Sequence, residues 1–380
     1  MWTRTNRGLV RTVSALGLGA FLLAGSVRCS SSEVVDNRGP VMQDLARNVM
    51  LPTVEALATA STRLAPALGA FCASPDQATL DAAQDAWRAL RQPWEHTQAF
   101  LFGPSDQLGT ANAIDFWPVR TDSVDKAVTS APDPVTPEHI ATLGVATRGM
   151  PALEYLLFSP DGGDAAVLTS LGADTQEARH RCSFAAAVAT VIETDIAALA
   201  DAWRPEKGAF VDDVASAGSG SETFPRAQDG ISRVVNTAVE LLQKVTDGRI
   251  GAPSGTRTGG TPQPALSESR FSDNTNTDLI EAARGVEAIY TGSAGGTSGL
   301  GLSTLVAERS AELDTAIRNQ FTDFVNTIQA LPAPLRQAVE TDPAAVATAL
   351  ESGRALRRLI AVDLAGTLSV TVTLNDNDGD

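Results

Sequence analysis

Aromatic side chains make up only 5% of this 380-residue chain, and histidine and cysteine occur three times each. So few aromatics, set against abundant alanine, favour a core built from helices over one built from sheet. His96, His139 and His180 are too scattered to build a zinc site from neighbouring histidines. The sequence has no His-Glu-x-x-His, no Gly-x-Ser-x-Gly elbow and no cysteine pairs at zinc-knuckle spacing. Basic residues are also few: 29 Lys+Arg stand against 45 Asp+Glu, for a net charge of −16. A field of that sign repels polyanions, so the partners do not include nucleic acid; a local cation site is still allowed. A hydrophobic content of 43% excludes a fully disordered chain. The length suits one large or two medium domains, at roughly 100–200 residues each.

What is present begins with an export signal over residues 1–28. Arg4, Arg7 and Arg11 form a basic head, Val13 to Ala24 an apolar stretch, and Gly25 and Ser26 a small-residue exit. The stretch is too short to span a bilayer. Two endings compete. Ala24-Gly25-Ser26 fits cleavage before Val27, whereas Cys29, followed by three serines, fits a lipid-bearing cysteine despite Arg28 beside it. Cleavage before Cys29 removes four arginines and no acid, taking the net charge from −16 to −20. The expected location is the periplasm or the outer membrane, with membrane contact only through a lipid on Cys29. With Cys29 so used, Cys72 and Cys182 remain as an even pair. An oxidising compartment predicts a disulfide between them, the alternative being two buried thiols.

A polar tether over residues 29–39 leads into helical periodicity. Leu80, Ala83, Trp87, Leu90, Trp94 and Leu101 recur at the steps of one helix face, with Pro93 expected to kink or divide the helix. Further stripes run from Phe184 to Trp203, Ile231 to Val245, Leu305 to Leu331 and Leu350 to Leu364. Leu368 to Leu374 is the one clear strand-like alternation. Loops are expected at Ala215–Glu222, Gly248–Pro264 and Thr291–Ser303. The last is glycine-rich but lacks a Lys-Ser/Thr ending and follows a helix, so it is no phosphate loop. The pattern, many helices with short connections and a break near the middle, predicts an all-α fold of two helical bundles in series, 40–214 and 222–380.

Two neighbourhoods carry chemical interest. In Gly149-Met150-Pro151-Ala152-Leu153-Glu154-Tyr155-Leu156-Leu157-Phe158, Pro151 suits a first helical turn and Glu154 sits among apolar neighbours. A carboxylate there needs a partner, a metal or a proton; the plainer alternative is a helix-start Glu satisfied by backbone N–H groups or by Arg148. Ile114-Asp115-Phe116-Trp117-Pro118 follows Phe102-Gly103-Pro104; Asp115 caps an element or lines a cleft, and Trp117 reads as a packing anchor. His96 follows Glu95 on the Trp87–Trp94 helix, and alone it reads as an ordinary surface or core histidine.

Together these segments resemble the imelysin-like family, the peptidase M75 group of exported bacterial proteins. The resemblance also takes in Ala86-Trp87, Trp94, Arg181-Cys182, Glu268-Ser269-Arg270-Phe271-Ser272 and Asp378-Gly379-Asp380. It implies an all-α fold of two consecutive four-helix-bundle domains with a cleft between them. The family signature is Gly-x-His-x-x-Glu, a proposed metal or active site. Here Gly149 and Glu154 match, but Pro151 stands in the histidine position, and proline binds no metal. The resemblance therefore implies a Gly-x-Pro-Ala-x-Glu branch. The expectation is a non-enzymatic envelope binding protein linked to iron acquisition, with an envelope or iron-uptake partner. The alternatives are an M75-type metallopeptidase using Glu154 and a structural lipoprotein. Glu154, Asp115, Arg270 and Ser272 are the candidate cleft residues. Glu154 is the candidate ligand for iron or another divalent cation.

Overall fold

The computed structural model describes residues 36–373, so the segment read as an export signal, Cys29 and Asp378–Asp380 lie outside the described residues. The first helix begins at Arg38, inside the stretch read as tether.

Beyond it, nine of the helices among the described residues frame the fold: α1 (Leu51–Ser61), α2 (Leu64–Ala73), α3 (Gln77–Thr97), α4 (Gly149–Leu157), α5 (Gln176–Trp203), α6 (Ala227–Gln243), α7 (Thr275–Thr291), α8 (Ala311–Gln329) and α9 (Pro343–Arg358). Several start where short polar side chains satisfy the free N–H groups of the first turn. Asp76 and Thr79 form a reciprocal capping box on α3, and Thr175, Ser310 and Asp342 cap α5, α8 and α9. α3 carries Pro93 in its interior without dividing.

Helices α3 and α5 both pack on α1 and α2, while α8 packs on α7 and α9 and α6 on α7 and α9. α5 is long and apolar enough to cross a bilayer by length and composition, yet much of it is buried against α1, α2 and α4. The two groups meet where α3 crosses α7. A Cβ on Gly285 would lie 2.8 Å from the His96 Cα, so only glycine allows so close a crossing. The segment after Ala215 is an ordered turn, with the Asp213 carboxylate accepting from Ser221 Oγ at 2.7 Å and Glu222 N at 2.9 Å.

Two expected loops contain regular structure. Lys244–Gly251 continues α6 as a π-helical stretch, which turns the Arg249 side chain into the protein interior. Thr291–Ser303 holds a small hairpin pairing Ser293–Ala294 with Thr297–Ser298. The alternation at Leu368–Leu374 misleads. Through Thr373 the chain is not a strand. Leu368 and Val370 are buried, and the Asn236 side chain of α6 donates to Thr371 O at 3.1 Å and accepts from Thr373 N at 2.8 Å. Alternation reports one-sided burial of an extended chain; a ladder also needs a neighbouring strand, and here a helix side chain fills that place.

Cys72 on α2 and Cys182 on α5 are disulfide-bonded, with Cα atoms 5.7 Å apart and a sequence separation of 110. Closing so long a loop restricts the unfolded chain, so replacing both cysteines with alanine should lower unfolding free energy by about 2–4 kcal/mol. Urea unfolding with and without reductant measures this; an unchanged midpoint would show that the bridge adds nothing.

Candidate functional site

Arg91 and Glu95, one helical turn apart, point inward from α3, in line with Trp87 and Trp94. Arg91 is 2% exposed and Glu95 0%. The Arg91 guanidinium reaches Glu95 Oε1 at 2.5 Å, Asp115 Oδ1 at 2.8 Å, Asp278 Oδ2 at 3.0 Å and Glu268 Oε1 at 3.6 Å. Arg249 adds contacts to Glu95 Oε2 at 2.6 Å and Glu268 Oε2 at 2.7 Å, and donates to Gln98 Oε1 at 3.1 Å. The Glu268 contact is an ion pair by distance only: the Oε2 atom is buried without a well-directed hydrogen bond.

The remaining acids are fixed from several elements. Asp115 closes the short helix Thr110–Asp115 and accepts from Trp94 Nε1 at 2.6 Å. Asp278, in the first turn of α7, accepts from Ser269 Oγ at 2.5 Å and Asn274 Nδ2 at 2.8 Å. Four carboxylates thus share two guanidiniums in a space closed to water. Burial drives the Glu95 and Glu268 carboxyls upward; the two arginines pull them back and the neighbouring acids push them up again. Burial and crowding win, because two positive charges cannot balance four negative ones.

Glu154 stands beside this cluster. α4 begins at Gly149, whose φ of 81° suits glycine and where a Cβ would come within 2.6 Å of Ile114 O. Pro151 falls in the first turn, where its missing N–H costs nothing. Trp87 Nε1 donates to Met150 O at 3.1 Å and ties this start to α3. One turn later Glu154 is 3% exposed. Its Oε1 accepts from Phe271 N at 3.0 Å, Ser272 N at 2.8 Å and Ser272 Oγ at 2.8 Å. The loop presents these donors together through left-handed backbone at Ser269 and Asp273, with φ of 46° and 57°. Burial pushes the Glu154 carboxyl up to about 7, against the pull of the Ser272 hydrogen bonds and of Arg91.

Of the residues singled out from sequence, Glu154 and Ser272 are in direct contact. Asp115 belongs to the arginine cluster. Arg270 turns away, donating to Ala265 O at 3.0 Å and lying 4.6 Å above the Phe271 ring. Arg148 pairs with Asp195 at 3.3 Å and does not reach for Glu154. His96 binds Glu281 of α7 at 2.7 Å. Arg91, Glu95, Arg249 and Asp278 were not singled out from the sequence. Arg91 and Glu95 had a legible signal, since both fall in line with the apolar stripe of α3; Arg249 had none, because its π-helical stretch reads as loop.

Truncating Glu154 to alanine strands two backbone N–H groups and should cost about 2–6 kcal/mol of stability, at about 1–3 kcal/mol per unsatisfied donor. Glu154→Gln keeps the accepting oxygen and should change stability by less than about 1 kcal/mol at neutral pH. Equal losses in the two variants, read by urea unfolding, would contradict this geometry.

The imelysin family model, Peptidase_M75, matches residues 50–362. Iron-regulated protein A of Synechococcus elongatus is 26% identical over 334 residues, covering 86% of this chain and 85% of that protein. Two solved structures share the fold. A protein provisionally designated an iron-regulated protein A precursor, from Parabacteroides distasonis, aligns with a TM-score of 0.76 at 21% identity, covering 89% of this chain and 97% of that one. An imelysin-like protein from Psychrobacter arcticum aligns with a TM-score of 0.68 at 17% identity, again covering 89% and 97%. The match to the family model spans most of the chain, and the chain belongs to the imelysin family, with an all-α fold.

Proposed function

We propose that this chain is a non-enzymatic cell-envelope binding protein linked to iron acquisition, exported by the segment at residues 1–28 and held at the membrane by a lipid on Cys29. The Cys72–Cys182 bridge supports export, since such bonds persist in oxidising compartments. The iron link rests on the likeness to iron-regulated protein A. The division into two bundles, 40–214 and 222–380, belongs to the same reading.

One observation carries the non-enzymatic part: the signature glutamate and the acids beside it are enclosed. Glu154, Glu95, Glu268 and Asp278 are all less than 5% exposed; Glu154, Glu95 and Asp278 accept hydrogen bonds from this chain, and Glu268 is paired by distance with Arg249. A peptidase needs an acid or base within reach of a substrate carbonyl or its attacking water. Pro151, in the histidine position, contributes neither. The rival metallopeptidase reading is tested by incubating the purified chain with mixed peptides, with and without chelator. No hydrolysis is expected in either arm. Hydrolysis that chelator abolishes, and that Glu154→Gln also abolishes, would overturn the proposal.

A further inference from the structure

The metal that the signature's histidine and glutamate would hold does not fit the residues present. Pro151 offers no ligand atom, and Glu154 Oε1 already accepts three protein donors. The next acids look more promising at first. Glu95, Glu268 and Asp278 bring carboxylate oxygens within 4.8 Å of one another, a hard-oxygen set of the kind that suits manganese, magnesium or ferric iron. The space among them is taken, however. Arg91 Nη2 lies 2.5 Å from Glu95 Oε1, 3.0 Å from Asp278 Oδ2 and 3.6 Å from Glu268 Oε1. A single nitrogen therefore faces all three carboxylates. Arg249 supplies a second fixed cation to Glu95 and Glu268 from the opposite side of the chain order.

We infer that Arg91, seconded by Arg249, is the resident cation of this buried centre, standing where a metal ion would otherwise bridge Glu95, Glu268 and Asp278. A guanidinium is fixed by its helix, does not titrate in water and forms several directed hydrogen bonds at once. It supplies positive charge to the carboxylates permanently, needs no supply of metal, and cannot be removed by a chelator. Folding of the centre then needs no metal, whatever ligand the chain binds. The inference does not depend on whether the chain hydrolyses peptides.

The test uses the full mature chain, with manganese(II) as the probe and two readouts, bound metal by elemental analysis and melting temperature. Wild type should hold no stoichiometric manganese after desalting, and neither manganese nor chelator should move its melting temperature. Arg91→Met removes the central cation at similar length and leaves the three carboxylates facing one another. Its melting temperature should rise with the logarithm of manganese concentration, and it should retain about one ion per chain, as a ligand that binds only the native state requires. If Arg91→Met stays unfolded alone, refolding it in manganese should recover helical signal that chelator then removes. Stoichiometric manganese in wild type, or a wild-type melting temperature that manganese raises, overturns the inference. So does an Arg91→Met protein that is indifferent to manganese.

Discussion

Arg91→Met is expected to lower the unfolding free energy by about 3–5 kcal/mol at neutral pH, the range for removing one partner of a buried ion pair. The size follows from what is left behind. Four carboxylates, on α3, on α7, at the end of Thr110–Asp115 and in the loop before α7, would share Arg249 alone. Their side chains are no more than 5% exposed, too little to regain water. Protonation relieves such a cluster, so the loss should shrink markedly on going from pH 8 to pH 5. Urea unfolding at both values checks this. A loss below about 1 kcal/mol, or one independent of pH, would show that Arg91 is not what balances the cluster.

Wild-type stability should itself fall as pH rises from about 5 to about 8. The direction follows from linkage. Burial raises the Glu154 carboxyl from its ordinary 4.5 to about 7, and raises Glu95 and Glu268 as well. Between the unfolded and folded values the native state holds more protons than the unfolded chain. The stabilisation is complete below about pH 4.5 and is lost as pH climbs through the folded values. Glu154 alone accounts for about 3 kcal/mol across that window, at about 1.4 kcal/mol per pKa unit. Glu154→Gln should remove that share and flatten the profile. A wild-type profile that rises over this window would contradict the burial argument, as would a Gln variant with an unaltered slope.

The helices were legible because burying an apolar stripe on a helix needs only a 3.6-residue repeat, which Phe184 to Trp203 and Ile231 to Val245 display openly. The Cys72–Cys182 pairing was legible from cysteine parity together with the expectation of an oxidising compartment. The strand reading of Leu368–Leu374 failed because sequence alternation shows which side chains are buried but not which element buries them. The site was half legible. Glu154 stood out as a charge in apolar company, and Gly149 and Pro151 fixed its helix start. Its donors came from Phe271 and Ser272, more than a hundred residues away, and two are main-chain N–H groups that any residue type but proline carries. No residue pattern announces a loop whose backbone amides converge. Arg249 was hidden for a related reason: a π-helical turn shifts the register by which inward-facing residues are read.

The central claim is that the signature glutamate is enclosed in a latch between α4 and the loop before α7, not presented in an open active site. Amide hydrogen exchange at Phe271 and Ser272 tests it most directly. Both residues lie in a loop, and exposed loop amides exchange readily. If both amides are held by a buried Glu154 carboxylate, they should exchange as slowly as the interior amides of α7, and Glu154→Ala should release them while α7 stays protected. Exchange in wild type as fast as that of the amide of Gly259 in its exposed turn would contradict the account.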